Sequence, residues 1–161
     1  MRLSTKSRYG TRLLLDIALN GQDGPVRIQD TAERQNISVK YLERIAQILR
    51  KAGFLKSRRG KKGGHQIARP LEQISVGEVI KTLEGDNLLV ECGASNPHCD
   101  LAGGCITRKV WIEASQAMFE KLNSISFAAL AAHAREGSRF DHYCTGLAVC
   151  LLEDAKKQRA R

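Results

Sequence analysis

The chain has 161 residues, of which 42% are hydrophobic and 27% charged, a composition typical of one globular domain or of a small domain with a helical extension. It contains no run of about 18 uncharged apolar residues, so we expect no membrane span. Its first residues lack the apolar core of a secretory signal, which predicts a cytoplasmic protein. In a reducing cytoplasm its five cysteines are more often metal ligands or redox groups than structural disulfides.

The positive charge is confined to the first half of the chain. Residues 1–70 contain 16 Lys and Arg against 5 Asp and Glu, a net charge of +11, whereas residues 71–161 have a net charge of −2. This asymmetry predicts a basic module that binds a polyanion, followed by a neutral module with another task.

Three helices are predicted in the first 53 residues. Apolar residues at helical spacing follow the capping candidates Ser4 and Thr5, and a short second helix ends near Asn36. Ser38 is the candidate N-cap of the third helix, which Gly53 ends. Two short helices joined by a tight turn are typical of a helix-turn-helix. In this motif the N-terminal end of the second helix contacts DNA. Here that end would present Ser38, Lys40, Tyr41, Glu43 and Arg44.

A basic hairpin is predicted directly after this motif. Residues 54–58 and 65–68 have the pattern of short strands, and residues 50–69 contain eight basic residues and no acidic one. We interpret the hairpin as the wing of a winged helix, in which glycines allow close approach to phosphates and Arg59 suits a narrow minor groove. The predicted wing contacts with DNA are Arg58, Arg59, Gly60, Lys61, Lys62, Gly63 and Gly64.

The predicted fold class is therefore mainly α with a small β-hairpin wing, a winged helix-turn-helix followed by a long dimerisation helix. We divide the chain into the DNA-binding domain (1–84), a cysteine-rich loop (85–107), the dimerisation helix with a short following helix (108–136), and a C-terminal tail (137–161). The long helix carries an apolar stripe through Trp111, Ala114, Met118 and Leu122. The basic domain leaves little surface to cover this stripe, so we expect a second copy to cover it.

Three cysteines of the loop have the spacing Cys92-x6-Cys99-x5-Cys105. Thiolates are soft ligands that suit iron–sulfur clusters and zinc. Structural zinc sites usually space paired cysteines two to four residues apart, so these longer spacers favour a cluster. Zinc and metal-free thiol chemistry remain alternatives.

Several motifs resemble the IscR/NsrR/CymR family of bacterial winged-helix transcription factors, over roughly residues 1–130. The matching segments are Arg2-Leu-Ser-Thr-Lys-x-Arg-Tyr9, Gly24-Pro25, Ala32-Glu-Arg-Gln-x-Ile-Ser38, Tyr41-Leu-Glu43, Leu49-Arg-Lys-Ala-Gly53, Arg59-Gly-x-x-Gly-Gly64, Ala68-Arg-Pro70 and Gly77-Glu-Val-Ile80. The resemblance implies a homodimer that binds a pseudo-palindromic operator in double-stranded DNA. It also implies that members with three cysteines in this loop bind an iron–sulfur cluster, and we favour 2Fe–2S over 4Fe–4S. In the cluster-assembly regulators, the residue matching Glu43 is associated with discrimination between operator classes.

The fourth ligand departs from the family patterns. The resemblance places a histidine three residues after the last cysteine, where this chain has Arg108, or an acidic residue of the partner's first helix, where it has Arg8. Local substitutes are His98, Asp100 and Glu91. Cys144 and Cys150 are more distant candidates, and burial beside Leu147 and Leu151 explains Cys150 equally well.

These features predict a transcriptional regulator, acting as a repressor, whose operator binding is controlled by an iron–sulfur cluster that senses redox, nitric oxide or iron–sulfur status. The alternatives are a metal-free thiol or disulfide redox-sensing regulator, and an accessory protein that binds an enzyme of cysteine or cluster synthesis. Enzyme activity is not expected, because no Ser/His/Asp set, paired carboxylate cleft or nucleotide loop is found.

Overall fold

The computed structural model describes residues 3–60, 62–85 and 104–136. The chain divides into two units, 1–131 and 132–161, and every element below lies in the first unit except the end of the last helix. The described residues form α1 (Thr5–Asn20), α2 (Ile28–Gln35), α3 (Val39–Lys51), β1 (Leu55–Arg58), β2 (Gly64–Ile67), a 3₁₀ turn (Leu71–Gln73), α4 (Val76–Glu84), α5 (Ile106–Asn123) and α6 (Phe127–Arg135). The predicted fold class is confirmed. The 3₁₀ turn was not predicted, and α5 begins two residues before the predicted dimerisation segment.

The turns between the first three helices follow from their capping residues. Ser4 caps α1 by accepting a hydrogen bond from the Ser7 backbone N–H at 3.3 Å. Asn36 ends α2 in the left-handed conformation, with φ of 52°, and this permits the tight turn into α3. Ser38 precedes α3 as predicted, but its side chain makes no capping hydrogen bond.

The core lies where α1, α3 and α4 meet. Leu13, Leu42 and Leu49 are fully buried, and Val79 and Phe54 complete this centre. Burial of each such side chain stabilises the fold by about 1.5–3 kcal/mol. A Cβ on Gly10 would collide with Leu83, so the glycine allows α1 and α4 to approach closely.

A buried carboxylate joins α1 to α2. Asp16 is 4% exposed and accepts hydrogen bonds from the Thr31 hydroxyl at 2.8 Å and the Gln35 amide at 3.1 Å. Arg34 donates to both of its oxygens, at 3.0 and 2.7 Å. Burial by itself would raise the pKa of Asp16, but these hydrogen bonds and the charge of Arg34 outweigh it and hold the pKa below its ordinary value. The helix-turn-helix is therefore joined to α1 by an ionised, fully paired carboxylate.

The wing is anchored to the domain through β2. In the hairpin Leu55 pairs with Ile67 and Arg58 pairs with Gly64. β1 begins one residue later than predicted, and β2 begins and ends one residue earlier than predicted. Val26 and His65 exchange two backbone hydrogen bonds, of 2.9 and 2.8 Å. A Cβ on Gly64 would collide with the Val26 carbonyl, so only glycine permits this approach.

The C-terminal end of α5 is attached to the start of α4. The Val76 N–H donates to the Ile125 carbonyl and the Phe127 N–H donates to the Ile74 carbonyl, both at 2.9 Å. A Cβ on Gly77 would collide with the Asn123 side chain. The two helices therefore contact each other at backbone distance, and the end of α5 is fixed to the DNA-binding domain.

We predict that Arg34→Met destabilises the fold by about 2–3 kcal/mol, because Asp16 would remain buried with only two neutral hydrogen-bond donors. Urea unfolding at pH 7 measures this loss. Arg44→Met, which removes an exposed arginine of α3, is the matched control and should change stability little. An equal loss in both variants would contradict the assigned role of Arg34.

The pH dependence of stability tests the same pair. Since the pKa of folded Asp16 lies below its ordinary value of 3.8, the unfolded chain binds more protons and stability rises with pH in that range. The stabilisation is present at neutral pH and lost as pH falls below about 4 through the folded pKa. We expect Asp16→Asn to flatten this part of the wild-type stability curve, and an unchanged acid slope would contradict the prediction.

Candidate DNA-binding surface and thiol site

The N-terminal end of α3 presents the predicted recognition residues on one surface. Ser38, Lys40, Glu43 and Arg44 are exposed, and Tyr41 is half-buried. All of these except Glu43 line a depression of about 320 Å³. Its walls provide two cations, a hydroxyl and a phenol, which suit an anionic partner with hydrogen-bonding edges.

The wing presents its cations at the tip. Arg58, Arg59, Gly60 and Lys62 are exposed, and Gly63 and Gly64 are half-buried. Lys61 lies outside the described residues. Gly60 has φ of 108°, and its carbonyl accepts a 2.8 Å hydrogen bond from the Gly63 N–H, which closes the turn. The exposed guanidinium groups therefore project from a compact, glycine-dependent loop.

His65 connects the wing electrostatically to α3. Its Nδ1 lies 3.1 Å from the Ser57 hydroxyl on the opposite strand. Burial lowers the pKa of His65, the charge of Arg50 lowers it further, and the charge of Glu43 opposes them. His65 is therefore neutral at pH 7, and the base of the wing does not add to its positive charge.

Three residues of this region, Tyr9, Arg12 and Gln35, were not predicted as functional from the sequence. The Tyr9 ring of α1 meets the Tyr41 ring edge-to-face, with centroids 5.9 Å apart. Arg12 lies over the Tyr9 ring at 5.7 Å and donates to Gln35. The sequence indicated Tyr9 only as part of a motif shared with the family, because contacts between helices leave no local sequence signal.

Cys105 is the one predicted metal ligand within the described residues; Cys92, Cys99 and His98 lie outside them, as do the substitutes Asp100 and Glu91. Cys105 is the N-cap residue of α5. Its sulfur lies 3.1 Å from the Thr107 hydroxyl. The Thr107 hydroxyl, the backbone N–H groups of Thr107 and Arg108, and the Arg108 charge lower the pKa of Cys105. Within the described ranges no three His, Cys, Asp or Glu side chains are grouped to hold a metal ion.

The two arginines at the family ligand positions lie on helices. Arg8 is exposed on α1, and Arg108 is half-buried in the first turn of α5. A guanidinium remains protonated in proteins and has no lone pair for a metal. Neither residue is an ordinary ligand, so any fourth protein ligand comes from elsewhere.

The first half of α5 has an exposed apolar surface. Ile106 is 81% exposed, Val110 54% and Trp111 44%. Farther along, Phe119 and Leu122 pack against the core, so the helix is covered only towards its C-terminal end. None of the helices among the described residues is long and apolar enough to cross a membrane.

A helix-turn-helix followed by a basic hairpin defines the class of winged-helix DNA-binding proteins. Comparison with known proteins agrees with this class. Residues 3–133 match the family described as Rrf2, iron-dependent transcriptional regulator. The Rrf2 protein of Nitratidesulfovibrio vulgaris is 51% identical over 130 residues, which cover 81% of this chain and 87% of that protein.

Two solved structures are similar in fold and sequence. IscR of T. potens superposes with a TM-score of 0.70 at 34% identity, covering 89% of this chain and 95% of that one. CymR of B. subtilis, described as the global cysteine regulator, superposes with a TM-score of 0.67 at 32% identity, covering 83% and 98%. The chain therefore belongs to the Rrf2 family of transcriptional regulators, which are not enzymes.

We predict that Glu43→Ala weakens discrimination between DNA sequences, because it removes a carboxylate that would accept from cytosine and repel phosphates. The Kd for a duplex with a changed base pair should fall about ten-fold relative to the Kd for the preferred duplex. Competition binding with the two duplexes measures this ratio. Glu72→Ala removes an exposed carboxylate of the 3₁₀ turn and is the control. An unchanged ratio in Glu43→Ala would exclude the role.

Proposed function

We propose that this protein is a transcriptional repressor whose binding to operator DNA is controlled by an iron–sulfur cluster held by Cys92, Cys99 and Cys105. The observation that carries the proposal is the position of Cys105, whose half-buried side chain stands at the N-cap of α5. The residues that directly follow α5 form backbone hydrogen bonds with the start of α4 and the residue before it. The single helix α5 therefore connects the Cys105 thiol, where a ligand would bind or leave, to the DNA-binding domain.

The chemistry of Cys105 fits a cluster ligand. The ligand form of cysteine is the thiolate, and the surroundings of Cys105 stabilise that form. When bound, the cluster would supply a centre that responds to oxidants, nitric oxide or iron supply. Its type would be 2Fe–2S, with His98 as a candidate for the fourth ligand.

The DNA contacts that we propose are those predicted from the sequence. Residues of α3 would contact base edges and adjacent phosphates, and the wing would contact the backbone and minor groove. Electrostatic attraction by the wing supplies affinity, whereas the α3 surface supplies selectivity. We expect a regulator with these DNA contacts to act in the cytoplasm.

We propose a homodimer that buries the exposed first half of α5. An operator of two half-sites requires two copies of the winged helix held at fixed spacing. The exposed apolar side chains of Ile106, Val110 and Trp111 are suited to pack against the same helix of a second copy.

A second candidate is regulation by thiol oxidation without a metal. The lowered pKa of Cys105 favours it as well, because the thiolate is the reactive form in disulfide exchange. The similarity to CymR, the global cysteine regulator of B. subtilis, is in keeping with this candidate.

We predict that Cys105→Ser, purified without oxygen, loses most of the iron and sulfide found with the wild type and changes operator affinity at least about ten-fold, while its thermal unfolding is unchanged. Iron and acid-labile sulfide assays with gel-shift titrations measure this. Ser124→Ala, an exposed change at the other end of α5, is the control. A wild type free of iron after reconstitution, with free thiols that fall reversibly on oxidation, would favour the second candidate.

We predict that the double substitution Val110→Glu and Trp111→Glu yields a monomer, because four charges would have to be buried in the paired interface. Sedimentation equilibrium gives the mass directly. The control is Lys121→Glu, an exposed change of charge in the last turn of α5. A double variant that stays dimeric would place the interface elsewhere.

A further inference from the structure

A stripe of three polar or aromatic side chains runs along one face of α1. Tyr9, Arg12 and Asp16 are spaced three and four residues apart, so they lie on the same face. The face is directed towards α2 and the start of α3. It therefore joins the buried carboxylate to the proposed DNA-binding surface.

Each connection along this stripe is a direct contact. The Gln35 amide donates to Asp16 at 3.1 Å, and Arg12 donates to the Gln35 side chain at 2.9 Å and its carbonyl at 2.7 Å. The Arg12 guanidinium lies 5.7 Å from the centre of the Tyr9 ring, within the range of a cation–π contact. Tyr9 is half-buried, and it packs against the core as well as against Arg12.

The last contact is made with a residue of the depression. Tyr41 lines it with Ser38, Lys40 and Arg44, and its ring lies at 88° to that of Tyr9 with centroids 5.9 Å apart. This is the favoured edge-to-face arrangement of aromatic rings. Tyr41 is only half-buried, so the Tyr9 ring supplies one of the contacts that hold its orientation.

We propose that Tyr9 is a positioning residue for DNA recognition, which holds the Tyr41 ring in the orientation that contacts the operator. The inference rests on the proposed DNA-binding surface. Without Tyr9, the Tyr41 ring samples other rotamers in the free protein, and binding to the operator must order it again. Non-specific binding depends on phosphate contacts and does not require this ordering.

The test uses the full chain, purified without oxygen, and two duplexes: one selected by the wild type from a random library, and a scrambled duplex of equal length and composition. We expect Tyr9→Leu to lower the ratio of affinities for the selected and scrambled duplexes about two- to ten-fold, from the strength of one aromatic pair. Tyr9→Phe, which keeps the ring, should restore the ratio. The dependence of affinity on salt should be the same in all three proteins.

Two further measurements separate positioning from stability. Leu15→Ala removes a half-buried side chain of α1 that packs on the core, and it should lower the melting temperature while leaving the ratio unchanged. In a double-mutant cycle, Tyr9→Leu and Tyr41→Leu should be non-additive for the selected duplex, because each removes the same contact.

The possible outcomes are distinct. An unchanged ratio in Tyr9→Leu overturns the positioning role. Equal weakening for both duplexes, shared by Tyr9→Phe, overturns it in favour of a direct phosphate contact by the Tyr9 hydroxyl. A wild type that enriches no duplex overturns this inference together with the proposed DNA-binding surface, and is recognised before any variant is made.

Discussion

The pairing of Asp16 with Arg34, Thr31 and Gln35 sets the geometry on which the helix-turn-helix depends. All three donors belong to α2, so the carboxylate on α1 is satisfied in only one register of the two helices. A shift of α2 by one residue would leave a buried charge without its partner, which is far more costly than the loss of an exposed ion pair. Because the Asn36 turn then leads directly into α3, the position of the recognition helix follows from that of a single buried carboxylate.

A second fixed connection runs through α4. The glycine at position 10 brings α4 against α1, and Glu84 at the far end accepts hydrogen bonds from the backbone of Ser4 and the hydroxyl of Ser7. At its other end α4 is joined by backbone hydrogen bonds to the segment that directly follows α5. A movement of α5 would therefore be transmitted to α4 through these hydrogen bonds. This is the physical reason to connect the cysteine at the start of α5 with DNA binding.

The sequence was sufficient to predict the elements but not the partnerships among them. Helical spacing located α1, α2, α3 and α5, and glycines among basic residues located the wing, because these signals are local. Asp16 and Tyr9 gave no such signal: their partners are 15 to 32 positions away in the sequence, at Thr31 and Tyr41. Arg12 is exposed, and it nevertheless donates two hydrogen bonds to Gln35, 23 positions away in the sequence. The cofactor could not be derived from three thiols alone, since thiolates serve clusters, zinc and disulfide exchange alike.

Arg108 shows that a residue unable to bind metal can still favour a metal site. It stands where the cluster-assembly regulators have a histidine, and its guanidinium has no lone pair to offer. Its backbone N–H and its charge nevertheless both lower the pKa of Cys105, after the larger effect of the Thr107 hydroxyl. The substitution therefore removes one possible ligand and stabilises the thiolate of another. In the proposed cluster site, the loss of one protein ligand would make exchange at that position with water or a small thiol easier. That property suits a centre whose function is to be gained and lost as conditions change.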